Sequence, residues 1–273
     1  MQKEVKVGSV TVGRRPFVLI GGPCVIESRE LVLETAQGIA DITARLNVPF
    51  IFKSSYDKAN RTSISGFRGP GIDKGLAILD EVKRQVGIPV LTDVHSAEEA
   101  QMAADVVDVL QVPALLSRQT DILTACGRTG RAVNIKKGQF ISPRDIVHAI
   151  RKVESTGNTN IIVTERGTSF GYNTLVNDFR AIPIMRDFGY PVVFDATHSV
   201  QQPSAMADHS GGEARFIVPL ARAAVAVGID GIFMEIHPDP GNARCDGDNS
   251  LPLSDLEKTL AILKKIEEAL WTA

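Results

Sequence analysis

The sequence predicts a closed (β/α)8 barrel, the TIM-barrel architecture, on three observations. Short apolar runs rich in Val, Ile and Phe recur about every 25 to 35 residues, and there are eight of them. Each is followed by an amphipathic helical pattern, the alternation of a parallel sheet whose strands are covered by helices. The open doubly wound alternative usually carries a Gly-x-Gly-x-x-Gly turn after its first strand, and GGPCVIES lacks one. A chain of 273 residues also fits one such barrel, so residues 1–273 are read as a single domain.

The first element is different. VKVGSVTVG alternates apolar and polar residues around Gly-Ser and reads as a β-hairpin, assigned to residues 1–14 as a cap over the barrel bottom. The eight strands are Phe17–Ile20, Phe50–Phe52, Val90–Leu91, Val106–Leu110, Ala132–Ile135, Ile161–Val163, Val192–Phe194 and Ile232–Met234. Pro49, Pro89 and Pro191 directly precede three of them, a position that need not donate to the ladder. The helices are Ser28–Leu46, Asp73–Val86, Ser96–Ala104, Ser117–Cys126, Ser142–Glu154, Val176–Phe188, Glu213–Val227 and Ser254–Trp271. Several open on a Ser that caps the first turn, and Gly87 provides a C-terminal stop. Two loops read as candidate lids, Gly66–Gly71 and Gln201–Arg215.

Composition excludes several function classes. Thirty basic and 32 acidic side chains leave a formal charge of −2, unlike a dedicated nucleic-acid binder. No run approaches the ~18 apolar residues of a membrane span, and the N-terminus lacks a signal-peptide core. Three scattered cysteines make no disulfide framework, so a reducing, cytoplasmic setting is expected.

Barrel enzymes carry their chemistry just beyond the C-terminal strand ends. There the sequence places two groups. One is cationic: Lys53, Lys58, Arg61, Lys136 and Arg166, more positive charge than one small carboxylate needs, so two anionic groups or two anionic substrates are expected. The other is Cys24, His198, Glu235 and Asp246, from strands that become neighbours when strand eight closes onto strand one. Thiolate, imidazole and carboxylate suit a borderline divalent ion such as Zn2+, Fe2+ or Mn2+. Cys126 reads as a buried core thiol, and Cys245 as either a bystander or a supporting group beside Asp246.

The segments GGPCVIES, FKSSYDKANRTS, GFRGPG, TDVH, LQVPALLSRQTD, VNIKKGQFISP, TERGTSFGYN, FDATHSVQQP and MEIHPDPGNARCDGDNSLPL, in this order, resemble the 3-deoxy-D-manno-octulosonate 8-phosphate (Kdo-8-phosphate) synthase family. The resemblance spans about residues 17 to 254. It implies condensation of phosphoenolpyruvate with D-arabinose 5-phosphate, a step of lipopolysaccharide Kdo biosynthesis. KANRTS, where the erythrose 4-phosphate synthases of the superfamily have a KPRTS-like string, favours the pentose. The resemblance assigns phosphoenolpyruvate to Lys53, Ser55, Lys58, Gln111, Ala114, Lys136 and Arg166. It assigns the sugar phosphate to Asn60, Arg61 and Thr62, with Asp93 and Asp246 toward the sugar end or the water network. Arg118 resembles an arginine that reaches a neighbouring subunit's site, which implies a homotetramer. Cys24 stands where the family's metal-independent branch has Asn, so a metal held by Cys24, His198, Glu235 and Asp246 is implied. Cys245-Asp246-Gly247, by contrast, resembles the metal-independent branch. The catalytic set is then Lys58, Lys136, Asp246 and His198, with Lys58 the first candidate proton donor, a role that asks for a lowered lysine pKa.

Overall fold

Alternating valines around Gly8-Ser9 form the hairpin β1 (Val5–Val7) and β2 (Val10–Val12), paired Val5 to Val12. In this computed structural model, which describes residues 2–61, 63–202 and 211–270, the hairpin's four valines are buried against one end of the barrel. They meet Val18, Ile20, Ile51, Leu91, Val109, Ile162, Val193 and Phe233, the inward residues of successive strands. The expected bottom cap is therefore observed.

The barrel follows in chain order. It begins with β3 (Val18–Gly22), α1 (Arg29–Leu46), β4 (Phe50–Lys53), α2 (Ile72–Val86), β5 (Val90–Asp93) and α3 (Ala97–Ala104). Next come β6 (Val109–Val112), α4 (Thr120–Arg128), β7 (Ala132–Lys136), α5 (Ile146–Glu154) and β8 (Ile161–Glu165). A two-residue pair, β9 (Thr168–Ser169) and β10 (Leu175–Val176), leads to α6 (Ala181–Arg186) and β11 (Val192–Asp195). A second pair, β12 (Gln201–Gln202) and β13 (Gly211–Gly212), precedes α7 (Ile217–Val227). The chain then forms β14 (Gly231–His237), β15 (Leu251–Pro252) and α8 (Leu253–Ala269). All barrel pairings are parallel, and β14 closes the ring by pairing with both β11 and β3, with Glu235 opposite Gly22.

All eight expected strands are present. Ser28 and Ser96 accept hydrogen bonds from Leu31 N and Glu99 N, the caps expected of them. The segment expected as a helix over Val176–Phe188 departs from expectation. Val176 pairs with Thr168 in a small hairpin, and the helix starts only at Ala181, after Asp178 Oδ1 accepts from Arg180 N at 3.0 Å. That side-chain bond competes with the helix and sets a later start. Three other helices also begin later than expected, behind short 3-10 turns at Ala114–Leu116, Pro143–Asp145 and Ala214–Phe216.

Candidate active site

The parallel strands end together, so their last residues converge on one mouth. Lys53 ends β4, Asp93 ends β5, Lys136 ends β7, Glu165 ends β8 and Asp195 ends β11. Gly22 makes the close packing possible at β3, since a Cβ there would lie 2.2 Å from Lys53 O. Lys53 is buried and its Nζ donates to Glu235 Oε1 at 2.8 Å and to Cys24 O at 3.0 Å. Ser55 Oγ donates to Asp93, whose other oxygen meets His95 Nε2 at 3.1 Å. Gln111 Oε1 accepts from Asn134 Nδ2 at 2.9 Å.

Asp195 is the centre of the opposite side. Its Oδ2 lies 2.5 Å from Lys136 Nζ and 2.8 Å from His198 Nδ1, and Oδ1 accepts from the backbone N–H of Thr197 and His198. The carboxylate therefore orients the imidazole so that Nε2 points at Glu235 Oε1 and Asp246 Oδ2, each 3.7 Å away. Asp246 has φ +52°, left-handed geometry that Asp tolerates better than most residues, and its Oδ2 accepts from Cys24 Sγ at 2.9 Å. Gln201 bridges the two sides, donating to Asp246 Oδ1 and accepting from Arg166 Nη2. Arg166 Nη1 and Glu235 Oε2 are buried without a hydrogen-bond partner among the described residues. Cys24, Cys245 and Asp246 bring ligand atoms within 4.8 Å of one another, a cluster able to hold a metal ion.

The charges perturb one another. Burial pushes Asp195 upward, but His198 and Lys136 together hold it well below the carboxylate range. Asp93 and Asp246 are likewise well below it: burial opposes ionisation, while Lys58 acts on both, His95 on Asp93 and His198 on Asp246. Burial lowers Lys136 and outweighs the help of Asp195 and Glu235. Lys58 runs the other way. Burial lowers it, yet Cys24, Asp93, Cys245 and Glu235 raise it well above the lysine range. The lowered pKa sought for Lys58 is thus found at Lys136 instead, because Lys58 has more acidic neighbours.

The carboxylates make the metal-free protein acid-sensitive. A group whose pKa is depressed by folding stabilises the fold above its unfolded pKa, and that contribution is lost as pH falls toward the folded value. Asp93, Asp195 and Asp246 act in this direction; Glu165, Asp230 and Glu267, raised mainly by burial, oppose them with smaller shifts. Thermal melting in EDTA is expected to fall steadily below about pH 4, the ordinary aspartate value. A melting temperature flat from there to pH 3 would contradict this electrostatic balance.

The mouth brings together Cys24, Lys53, Ser55, Lys58, Asp93, Gln111, Lys136, Arg166, His198, Glu235 and Asp246. Ala114 opens the 3-10 turn after β6, and Asn60 is exposed. Arg61 is tied down, donating to Phe67 O at 2.8 Å and Arg244 O at 2.9 Å. Thr62, most of the Gln201–Arg215 loop and Trp271 lie outside the described residues. Arg118 is exposed and lines a separate cavity of about 390 Å3 with Phe140, His148 and Lys152, apart from the mouth. Gln201 was not singled out by sequence, Asp195 was placed at its strand end without a role, and Cys245, read as either a bystander or a supporting group, has its Sγ 3.4 Å from Asp246 Oδ2. For Asp195 a signal existed, a carboxylate three residues before His198 at a strand end.

Comparison with known proteins agrees with this architecture. A relative from Trichlorobacter lovleyi, named 2-dehydro-3-deoxyphosphooctonate aldolase, is 58% identical over 98% of this chain and 97% of its own. Relatives of the same name from Syntrophobacter fumaroxidans and Geobacter metallireducens are 58% and 54% identical, covering 97% and 98% of this chain and 93% and 98% of theirs. The family model described as the DAHP synthetase I family matches residues 2–272, from the hairpin cap to the end of α8, and the chain belongs to that family.

Proposed function

We propose that this chain condenses phosphoenolpyruvate with D-arabinose 5-phosphate and water, giving 3-deoxy-D-manno-octulosonate 8-phosphate and inorganic phosphate. The observation that carries this reading is the name shared by near-full-length relatives at 54–58% identity. The site chemistry supports it, since buried Lys53, Lys136 and Arg166 suit an anionic substrate, and Arg166 Nη1 has a donor to spare.

In this reading Arg166, Lys136, Lys53 and Lys58 hold the phosphate and carboxylate of phosphoenolpyruvate, with Ser55, Gln111 and Ala114 shaping the pocket. Asn60, Arg61 and Thr62 take the sugar phosphate, Asp93 lies toward the sugar, and Arg118 serves a neighbouring subunit of a homotetramer. Holding two anions against their repulsion is most of the catalytic task. C3 of the enol attacks the aldehyde, forming the C–C bond, and the new alkoxide takes a proton. Water adds at C2, and the C2–O bond to phosphate then breaks. Lys136 is the better proton donor, because burial makes its ammonium more acidic than Lys58.

Cys24, His198, Glu235 and Asp246 would hold a divalent ion, Zn2+, Fe2+ or Mn2+. The fit is supported by the orphaned Glu235 Oε2, by Nε2 of His198 turned toward both carboxylates, and by the short Cys24–Asp246 contact. When bound, the ion supplies Lewis acidity at the aldehyde or an activated water. Residues 1–273 act as one barrel domain. No described helix is long and apolar enough to cross a membrane, and we place the enzyme in the cytoplasm.

The test is phosphate release from phosphoenolpyruvate with arabinose 5-phosphate or erythrose 4-phosphate, with and without EDTA. Release with the pentose alone, lost in EDTA and restored by a divalent metal, is expected. Preference for the tetrose would move the chain within its family; EDTA-resistant turnover would overturn the metal. No release with either sugar, after reconstitution with several metals, would sink the synthase reading.

A further inference from the structure

Cys24 lies in the turn after β3 and Cys245 in the loop after β14, 221 residues apart, yet their Sγ atoms are 2.9 Å from one another. Both are free thiols, 4% and 6% exposed, while the third cysteine, Cys126, is buried on α4 in the outer core. The two loops are held in place on both sides. Ser55 N and Lys53 Nζ donate to Cys24 O, and Arg244 N donates to Glu27 Oε1. Asp246 Oδ2 lies 2.9 Å from the first sulfur and 3.4 Å from the second. Cys24 has one S–H and cannot donate to both Cys245 and Asp246. Cys24 and Asp246 are two of the four ligands in the metal reading above, and Cys245, outside that quartet, faces the Cys24 sulfur directly. A disulfide needs sulfurs about 2.05 Å apart, so closing the gap takes less than about 1 Å, within reach of small side-chain rotations.

We propose that Cys24 and Cys245 form a reversible dithiol–disulfide couple oxidised by hydroperoxides. One thiol attacks the terminal peroxide oxygen, the O–O bond breaks, and a sulfenic acid forms with an alcohol, or with water when the oxidant is hydrogen peroxide. The second sulfur attacks the first, the S–O bond breaks, and one water leaves with the disulfide made. Two thiols lose two electrons and one peroxide gains them; an external dithiol reverses the exchange. Oxidation removes the Cys24 sulfur as a thiolate donor. Protection by a bound ion rests on the metal reading above, whereas the couple itself needs only the two thiols.

The experiment uses full-length protein stripped with EDTA and treated with hydrogen peroxide, followed by thiol counting and peptide mapping. Free thiols are expected to fall from three to one, with Cys126 the survivor and a Cys24–Cys245 peptide recovered. Activity after metal is restored should drop at least roughly tenfold, as loss of a ligand implies, and return after dithiothreitol. C245A and C245S should form no intramolecular crosslink and keep Cys126 free, with Cys24 either unreacted or oxidised without a partner. Zinc added before peroxide should keep all three thiols free; crosslinking that zinc does not slow would fault the metal reading and still support the couple. Absence of turnover with either sugar would fault the synthase reading and leave the thiol result intact. Three free thiols after peroxide, a link to Cys126 or to another chain, or Cys24 sulfinic acid beside a free Cys245 would overturn the proposal.

Discussion

Asp195→Asn is expected to lower kcat/KM for phosphate release by roughly two to three orders of magnitude, the scale of losing one preorganised charged partner in an active site. The asparagine Oδ1 still accepts from the Thr197 and His198 N–H groups. The position of the second oxygen, which lies 2.5 Å from Lys136 Nζ and 2.8 Å from His198 Nδ1, is then taken by the amide NH2, a donor that accepts from neither. The buried Lys136 ammonium loses its counter-charge, and the imidazole loses the acceptor that fixes its tautomer. Breaking a buried pair from one side typically costs about 3–5 kcal/mol, so melting should fall as well. Lys136→Met removes the charge along with the need to pair it. Added to Asp195→Asn, it should therefore recover part of the stability that the single variant loses, while the double variant remains inactive. Both variants near wild-type activity would mean that Asp195 organises nothing at the mouth.

Deleting residues 1–14 is expected to destabilise the barrel by more than any single substitution. Val5, Val7, Val10 and Val12 are 0%, 1%, 7% and 0% exposed. At about 1.5–3 kcal/mol for each buried valine, the four account for roughly 6–12 kcal/mol as an upper bound. That is comparable with the whole net stability of a typical domain, about 5–15 kcal/mol. The deletion also bares Ile20, Ile51, Leu91, Ile162 and Phe233, and Phe233 carries Lys136 Nζ 3.9 Å above its ring. Insoluble protein or a melting temperature lower by more than roughly 10 °C is expected. A soluble truncated chain melting within a few degrees of the parent would show that the barrel bottom needs no cap.

Much of this was legible in the amino-acid order, for physical reasons. Strand and helix periods are local properties, so all eight strands and most helices could be read from apolar spacing, and the cap from its alternating valines. A parallel barrel sends every strand's C-terminal end to one face, so residues after the apolar runs, among them Lys53, Asp93, Lys136 and Glu235, could be assigned to a common mouth. The false helix start at Val176 marks the limit of local reading, because the Asp178 side chain and the Thr168 pairing override a helical pattern.

What only the tertiary structure decided depends on distances between residues far apart in sequence. Period and spacing do not reveal that Cys245 faces Cys24, that Asp195 joins Lys136 to His198, or that Arg61 is tied to Phe67 and Arg244. Nor do they rank two lysines of the same mouth. Lys58 is raised and Lys136 lowered because burial and neighbouring charge compete, and that competition exists only once the barrel has closed.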